Sequence, residues 1–308
     1  MTPPATRFAY FDNRIVPIGE ATVSVMTHGL HYGTAVFGGL RGYWNEDEGQ
    51  LYIFRPLDHY RRFLQSAGML RMALPQSAEE LTGITAELLR AEGFRENCYI
   101  RPLAYLSELS IHLRLNDMAS AVTIFSLPFG RYIANEAGAH VAFSAWRRVD
   151  DNAIPARGKI AGAYVNSALS STDVRLAGYD EALVLNDDGH VSEMSSANFF
   201  IVRDGVAITP PVTSNVLEGI VRRSVIQLLR EELGVEVVER SIDRSEVYIA
   251  DECFMCGTGV QIAAITRIEH RAVAGGVMGD VTQRLRALFF DIVAGKVERY
   301  RAWLVPVY

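Results

Sequence analysis

The chain has 308 residues, 49% of them hydrophobic, with 30 basic against 36 acidic side chains and a net charge of -6. That length predicts two hydrophobic cores rather than one, and dispersed arginines in an acidic chain give no basic stripe for nucleic acid. No apolar run approaches a membrane span, and Met1-Thr2-Pro3-Pro4-Ala5-Thr6-Arg7 lacks the charged-then-apolar layout of a signal peptide, so a cytoplasmic location is expected.

Phe8 to Ile18 reads as a hairpin turning at Asp12-Asn13. Ser24 to Tyr43 is dense in glycine and aromatics without helical periodicity, which predicts strands and turns with a close backbone approach. Leu51 to Phe54 is a short strand, and Pro56 opens a helix to about Gly68. A second helix runs from about Ser77 to Ala91, with Ser77 and Glu80 as a capping box. Asn97 to Leu106 is strand-like and carries Tyr99 and Arg101. A charge inside an apolar strand is costly unless paired, so Arg101 either faces water or meets an anion. Ala121 to Leu127 reads as a buried strand.

The pattern breaks after Leu127. The chain therefore divides into a smaller domain over 1–127, a linker over 128–138 and a larger domain over 139–308. In the larger domain, His140 to Val149 is a strand and Asp150 to Arg157 a polar loop. Ala163 to about Leu176 is a helix ending at Gly178. Glu181 to Asn186 and His190 to Ser195 are strands, and Asn198 to Thr209 forms a hairpin about Asp204-Gly205. A helix follows from Ile220 to about Leu233, then a strand from Val235 to Arg240. Asp251 to Thr266 is strand material broken by Gly257-Thr258-Gly259, and a last helix covers about Val281 to Ala294. The fold class is mixed α/β of the α+β type.

Three cysteines, Cys98, Cys253 and Cys256, include a C-x-x-C pair. Zinc needs more ligands than stand nearby, so no metal is expected. Positions three apart on a strand point to opposite faces, which favours buried strand cysteines over a redox pair.

Of the 30 basic residues only Lys159 and Lys296 are lysines. A lysine retained in so arginine-rich a chain is a candidate for chemistry that an always-protonated guanidinium cannot do, above all Schiff-base formation. Lys296 reads as an exposed helix end. Lys159, in Arg157-Gly158-Lys159-Ile160-Ala161-Gly162-Ala163-Tyr164, is either a surface loop lysine or such a nucleophile.

Pyridoxal phosphate (PLP) asks for a lysine, a partner for its ring nitrogen and an anion site for its phosphate. Glu193 on an apolar strand is a candidate partner, or an edge glutamate facing water. Gly219-Ile220-Val221-Arg222 enters a helix and could hold phosphate on free N–H groups, or be an ordinary helix start. Gly257-Thr258-Gly259 offers a second backbone nest.

Glu193-x-Ser195-x-x-Asn198-Phe199-Phe200, Thr209 and Leu217-x-Gly219-Ile220-x-Arg222 together resemble the class IV aminotransferase signature. His31-Tyr32-Gly33, Phe37-Gly38-Gly39-Leu40-Arg41-Gly42-Tyr43, Tyr99-Ile100-Arg101-Pro102-Leu103 and Phe254-Met255-x-Gly257-Thr258 resemble the branched-chain group. The resemblance runs from about Phe8 to Trp303. It implies a two-domain fold-type IV PLP enzyme with a barrel-like sheet in its larger domain and the active site between domains.

On that resemblance Lys159 is the Schiff-base lysine and proton shuttle, Glu193 the ring-nitrogen partner and Tyr164 the partner of the phenolic oxygen. Arg62, Ile220, Val221 and Thr258 would hold the phosphate. Tyr99, Thr258 and Gly259 would take the substrate α-carboxylate and Arg101 the side-chain carboxylate of glutamate. Tyr32, Phe37, Phe129, Tyr132 and Tyr164 would line an aliphatic pocket. The resemblance implies ping-pong transamination of leucine, isoleucine and valine with 2-oxoglutarate by a homodimer or higher oligomer, a loop of one subunit reaching its neighbour's site. Other readings are a D-amino acid or (R)-amine aminotransferase, an aminodeoxychorismate lyase and a non-catalytic PLP-binding protein. Departures fall on the substrate side: Gly38 replaces a usual glutamate, Phe129 a common tryptophan, and Ser107–Arg114 a Gly-rich stretch. A smaller residue at 38 predicts a widened pocket and acceptance of (R)-primary amines.

Overall fold

The computed structural model describes residues 7–133 and 135–308. Of the segment read against a signal peptide, Met1–Arg7, residues 1–6 lie outside them, as does position 134 of the expected linker. The chain divides into two compact units. The first takes the chain up to Gly130 together with Gly158–Gly162 and Asp291–Tyr308; the second comprises Arg131–Arg157 and Ala163–Phe290. The lysine segment Gly158–Gly162 and the tail Asp291–Tyr308 group with the first unit, where the expected larger domain runs unbroken over 139–308.

The first unit contains strands β1 (Phe8–Phe11), β2 (Arg14–Pro17), β3 (Ala35–Phe37), β4 (Leu40–Asn45), β5 (Gln50–Phe54), β6 (Cys98–Leu106) and β7 (Ser120–Pro128). Its helices are α1 (His28–Tyr32), α2 (Pro56–Met69) and α3 (Ala78–Glu92). The turn between β1 and β2 uses Asp12 and Asn13 at positive φ, the geometry of a two-residue hairpin. Pro56 opens α2, and the capping box of α3 forms as expected, Glu80 N–H donating to Ser77 Oγ and Ser77 N–H to Glu80. The segment expected to hold only strands and turns contains α1, a single five-residue helix closed by Gly33 in the left-handed region, too short to carry a helical period. β7 is buried on one face only, so its apolar run reflects a half-covered strand.

The C-terminal tail supplies a strand, Leu304–Pro306 (β17, the last of the chain), that pairs with β5. The sheet order is β17-β5-β4-β6-β7-β1-β2, with β3 also on β6. All of its pairings are antiparallel.

The second unit contains β8 (Ala139–Arg147), β9 (Glu181–Leu185), β10 (Val191–Met194), β11 (Asn198–Arg203), β12 (Val206–Thr209), β13 (Val237–Glu239), β14 (Glu252–Gly257), β15 (Gln261–Ile268) and β16 (Arg271–Ala272). Its helices are α4 (Tyr164–Leu176), α5 (Ile220–Glu231), α6 (Arg244–Val247) and α7 (Asp280–Val293), the last turn of α7 falling in the first unit. The sheet order is β10-β9-β8-β15-β14-β11-β12-β13, with β16 on β15. It is mixed: β8 runs parallel to both β9 and β15, and β12 parallel to β13. β9, β10, β11 and β14 are buried on both faces, which is why they read as near-continuous apolar runs. Phe199, Ile201, Met255, Ala263 and Ile265 lie in the core on one face.

Candidate active site

Lys159 is pinned by its backbone. Its carbonyl accepts from Phe37 N–H at 3.0 Å, its N–H donates to Ser66 Oγ of α2 at 3.2 Å, and Ile160 bridges to Val36. A strand on one side and a helix on the other therefore fix where the side chain starts. The side chain is half-buried and its Nζ stands 4.7 Å from the centre of the Phe37 ring. Lys296, by contrast, is exposed just beyond α7.

The same Phe37 ring carries a second cation. The Arg101 guanidinium lies 4.6 Å from its centre and donates to the Tyr99 hydroxyl at 3.1 Å. Arg101 Nε is buried without a hydrogen-bond acceptor among the described residues. Such a nitrogen is costly until an anion supplies the missing acceptor. Tyr99 reaches this position because residue 39 is glycine: a Cβ there would lie 2.2 Å from the tyrosine hydroxyl oxygen. The Phe129 ring stands 5.3 Å from that of Tyr99, and the Arg41 guanidinium 4.9 Å from Phe129. Arg41 also donates to the carbonyls of Phe129 and Gly130.

Gly38 overturns the expected widening. A Cβ at this position would meet Pro102 Cγ at 2.6 Å, and its N–H already donates to the Pro102 carbonyl at 2.8 Å. The space beside Gly38 is filled by β6, so this position opens no gap. Of the two adjacent arginines on α2, Arg61 is exposed and pairs with Glu79 at 3.3 Å, while Arg62 is half-buried. Tyr32 joins a different group: exposed at the end of α1, it donates to the Ile111 carbonyl at 2.9 Å and packs on His28 and His31.

In the second unit Glu193 is buried and held from several sides. Arg148 pairs with its Oε1 at 2.8 Å, Asn198 Nδ2 donates to Oε2 at 2.9 Å, and Leu217 N–H donates to the carboxylate at 3.3 Å. It does not face water as an edge glutamate would. Asn198 also donates to the Leu217 carbonyl at 2.9 Å, and Thr209 Oγ1 to the Phe199 carbonyl. Glu193, Asn198 and Leu217 of the signature therefore share one hydrogen-bonded cluster.

That cluster places the start of α5. Gly219 is its N-cap, and the first helical bond runs from Arg223 N–H to the Gly219 carbonyl. The N–H groups of Ile220, Val221 and Arg222 precede that bond and are left to an external acceptor, which the helix dipole favours as an anion. Thr258 and Gly259 lie at the tip of the β14–β15 hairpin. Gly259 packs against the Tyr132 ring, whose hydroxyl meets Ser196 Oγ at 3.1 Å. Tyr164 is the first residue of α4 and is half-buried.

All three cysteines are buried free thiols. Burial pushes Cys98 and Cys256 up to about 12 and Cys253 further. Burial of this pair disfavours the thiolate that redox chemistry needs. Among the described residues no cluster of histidine, cysteine and carboxylate could hold a metal. Ser66, Arg148 and the role of Asn198 were not singled out from sequence. Ser66 and Arg148 act across long sequence separations that no local pattern marks; Asn198 stands in the signature five residues from Glu193, and only its reach to Leu217 is non-local.

An amine on an aromatic ring, an acceptor-seeking guanidinium, a clamped carboxylate and an open helix N-terminus are the parts of a class IV aminotransferase. The chain belongs to that family, whose model matches residues 36–268. It is 49% identical over 301 residues to the "Probable branched-chain-amino-acid aminotransferase" of Aquifex aeolicus (strain VF5), covering 98% of this chain and 97% of that protein. Among solved structures it resembles the branched-chain aminotransferase of the archaeon Thermoproteus uzoniensis with norvaline: TM-score 0.94, 42% identity, 98% of this chain and 100% of that one. It is similar also to the branched-chain amino acid aminotransferase of Thermobaculum terrenum in its PLP-bound holo form: TM-score 0.93, 40% identity, 99% of each chain covered. The architecture of the two sheets is that of fold-type IV aminotransferases. These relatives favour the branched-chain reading over a D-amino acid aminotransferase, a lyase or a non-catalytic protein.

Proposed function

We propose that this aminotransferase moves the amino group of leucine, isoleucine and valine to 2-oxoglutarate, with PLP as cofactor. The observation that carries the reading is the pair of cations on Phe37: a backbone-pinned lysine amine and a half-buried arginine whose buried Nε lacks an acceptor among the described residues. The donor set fits the cofactor. Lys159 would hold it covalently, Glu193 would take its ring nitrogen, and Tyr164 its phenolic oxygen. Arg62, Thr258 and the N–H groups of Ile220 and Val221 would hold its phosphate. Bound PLP supplies an electrophilic aldehyde and a ring that withdraws electrons from the substrate α-carbon.

The residues themselves do the rest. Tyr99 and the 258–259 backbone would bind the substrate α-carboxylate, orienting the α-carbon. Displaced by substrate, the Lys159 amine removes the α-proton and later returns it as general acid. Phe37, Phe129 and Tyr132 would form an apolar wall for the aliphatic side chain, while Arg101 gives the carboxylate of glutamate its partner. One site then serves two unlike side chains in turn, which requires ping-pong kinetics.

A homodimer is part of the proposal. Val25, Ile111 and Leu113 are 82%, 78% and 80% exposed, with Met26, Leu30 and Tyr32 alongside in the sequence segments that α1 joins to Ser110–His112. A patch of that kind calls for cover, and a second copy carrying Tyr32 and Ile111 is the proposed cover. Sedimentation should give at least twice the mass of one chain. No helix is long and apolar enough to cross a membrane, and three unpaired thiols suit a cytoplasmic setting. The reading is tested with L-leucine, L-valine and D-alanine as donors to 2-oxoglutarate. L-Leucine and L-valine are consumed with formation of glutamate; activity on D-alanine with L-leucine inert would replace the reading.

A further inference from the structure

The buried Glu193 and the half-buried Arg148 form an ion pair that the proposed cofactor role of Glu193 does not by itself require. Arg148 follows directly on the end of β8, and its side chain is 14% exposed against 6% for Glu193. Its own position is braced. Its N–H donates to the Leu185 carbonyl at 2.9 Å and its Nε to the Asn215 carbonyl at 3.0 Å. Asn215 sits at φ 55° and is tied in turn to Asn186 Oδ1 at 3.1 Å, while its own Oδ1 accepts from Asp151 N–H. Ser192 Oγ fastens the preceding residue by donating to the Ser214 carbonyl at 2.9 Å. The guanidinium therefore meets Glu193 Oε1 at 2.8 Å from a fixed direction.

An acid buried beside a basic ring nitrogen can share its proton two ways. The proton rests on the nitrogen as an ion pair, or returns to the carboxylate as a neutral hydrogen bond. In a poorly solvated site the neutral form is favoured, because desolvation penalises both charges. A guanidinium on the carboxylate reverses this: it stabilises the anion, makes it the weaker base and leaves the proton on the nitrogen. Asn198 Nδ2 and Leu217 N–H act in the same sense, as donors to the anion. Cys256 is a further titratable neighbour, and its thiol, pushed up to about 12, stays neutral.

We propose that Arg148 is a positioning residue that keeps Glu193 ionised and aimed, and so keeps the cofactor's ring nitrogen protonated. The inference rests on the reading of Glu193 as the ring-nitrogen partner. Arg148 touches neither substrate nor reacting atoms; it acts through the carboxylate.

The test is the ring-nitrogen resonance of holoenzyme reconstituted with 15N-labelled PLP, in wild type and in Arg148→Met, Arg148→Lys and Glu193→Gln. Wild type should show the pyridinium shift and Arg148→Met the neutral-pyridine shift. Arg148→Lys, which keeps a cation beside Glu193 while losing the Nε bond to Asn215, should stay near wild type. With Arg148→Met, kcat for L-leucine should fall on the order of 10–100-fold, by analogy with the loss of a partner that orients a metal ligand, with KM changing far less. Glu193→Gln separates the two claims. If Glu193→Gln leaves the resonance unmoved, the reading of Glu193 is wrong. If Glu193→Gln moves it and Arg148→Met does not, the role given to Arg148 is wrong. Should Arg148→Met fail to fold, Arg148→Lys decides: loss of the pyridinium shift in a folded Arg148→Lys protein overturns the proposal, and its retention supports it.

Discussion

Gly219→Ala tests the packing that joins Glu193 to the start of α5. The glycine has φ -67° and ψ 135°, a conformation open to alanine, so backbone strain plays no part. The obstacle is Asn198, whose Oδ1 would lie 2.1 Å from the new Cβ. To reach an ordinary 3.4 Å contact it must withdraw by about 1.3 Å, the difference of those two distances. That breaks its 2.9 Å bonds to Glu193 and to the Leu217 carbonyl. A bond to a charged group is worth about 1.5–3 kcal/mol and a neutral one about 1, and replacing an N-cap glycine by alanine costs about 0.5–1 more. The expected loss is about 3 kcal/mol, read as a lower urea midpoint with unchanged m-value. Affinity for PLP should fall with it, because Glu193 loses a donor and the helix N-terminus shifts. Gly83→Ala on the exposed face of α3, where a Cβ meets nothing within 4 Å, serves as the control and should stabilise by about 1 kcal/mol. A loss below about 1 kcal/mol for Gly219→Ala would be no more than a cap effect, and would refute the clamp.

Three other changes should have distinct signatures. Glu252 is a buried carboxylate that caps α7, accepting from Val281 N–H at 2.9 Å, Thr282 N–H at 2.8 Å and Thr282 Oγ1 at 2.7 Å. Glu252→Ala should cost about 2–4 kcal/mol in a urea titration; a change within 0.5 would show that the cap contributes nothing. Glu246 is held down to about 2 chiefly by its hydrogen bond to Arg240, then by Arg203 at 2.9 Å. A depressed acid gives stability that is fully present above its ordinary 4.5 and is lost as pH falls toward 2. Solvent reaches both arginines, so Glu246→Gln should remove on the order of 1 kcal/mol at pH 7 and nothing near pH 2; an equal loss at both would exclude the ion pair as its source. Arg101→Met should raise KM for 2-oxoglutarate roughly 30-fold or more, as loss of a buried charge partner does, with L-leucine little affected; equal losses for both would deny Arg101 its selective role.

The parts that sequence revealed are those with a local signature. Pro56, the Ser77/Glu80 box and the Asp12-Asn13 turn set their elements through contacts within four residues. Lys159 was visible through the scarcity of lysine, and Glu193 as a charge on an apolar strand. What stayed hidden depends on partners far along the chain. The lysine segment joins the first unit through Phe37, Ser66 and Val36, each about a hundred residues away, and nothing in Arg157–Tyr164 announces them. β17 is three residues long, too short for any period, and exists because β5 offers an edge. Sequence makes Gly38 look like a gap because it gives a side chain's size and not its direction; the direction is toward Pro102.

The central claim is that Lys159 holds the cofactor. The most direct measurement is borohydride reduction of PLP-reconstituted enzyme followed by peptide mass mapping, made decisive by the presence of only two lysines. A phosphopyridoxyl group is expected on the peptide containing Lys159, with Lys296 unmodified. Label on Lys296 with Lys159 unmodified, or no label on either, would contradict the claim.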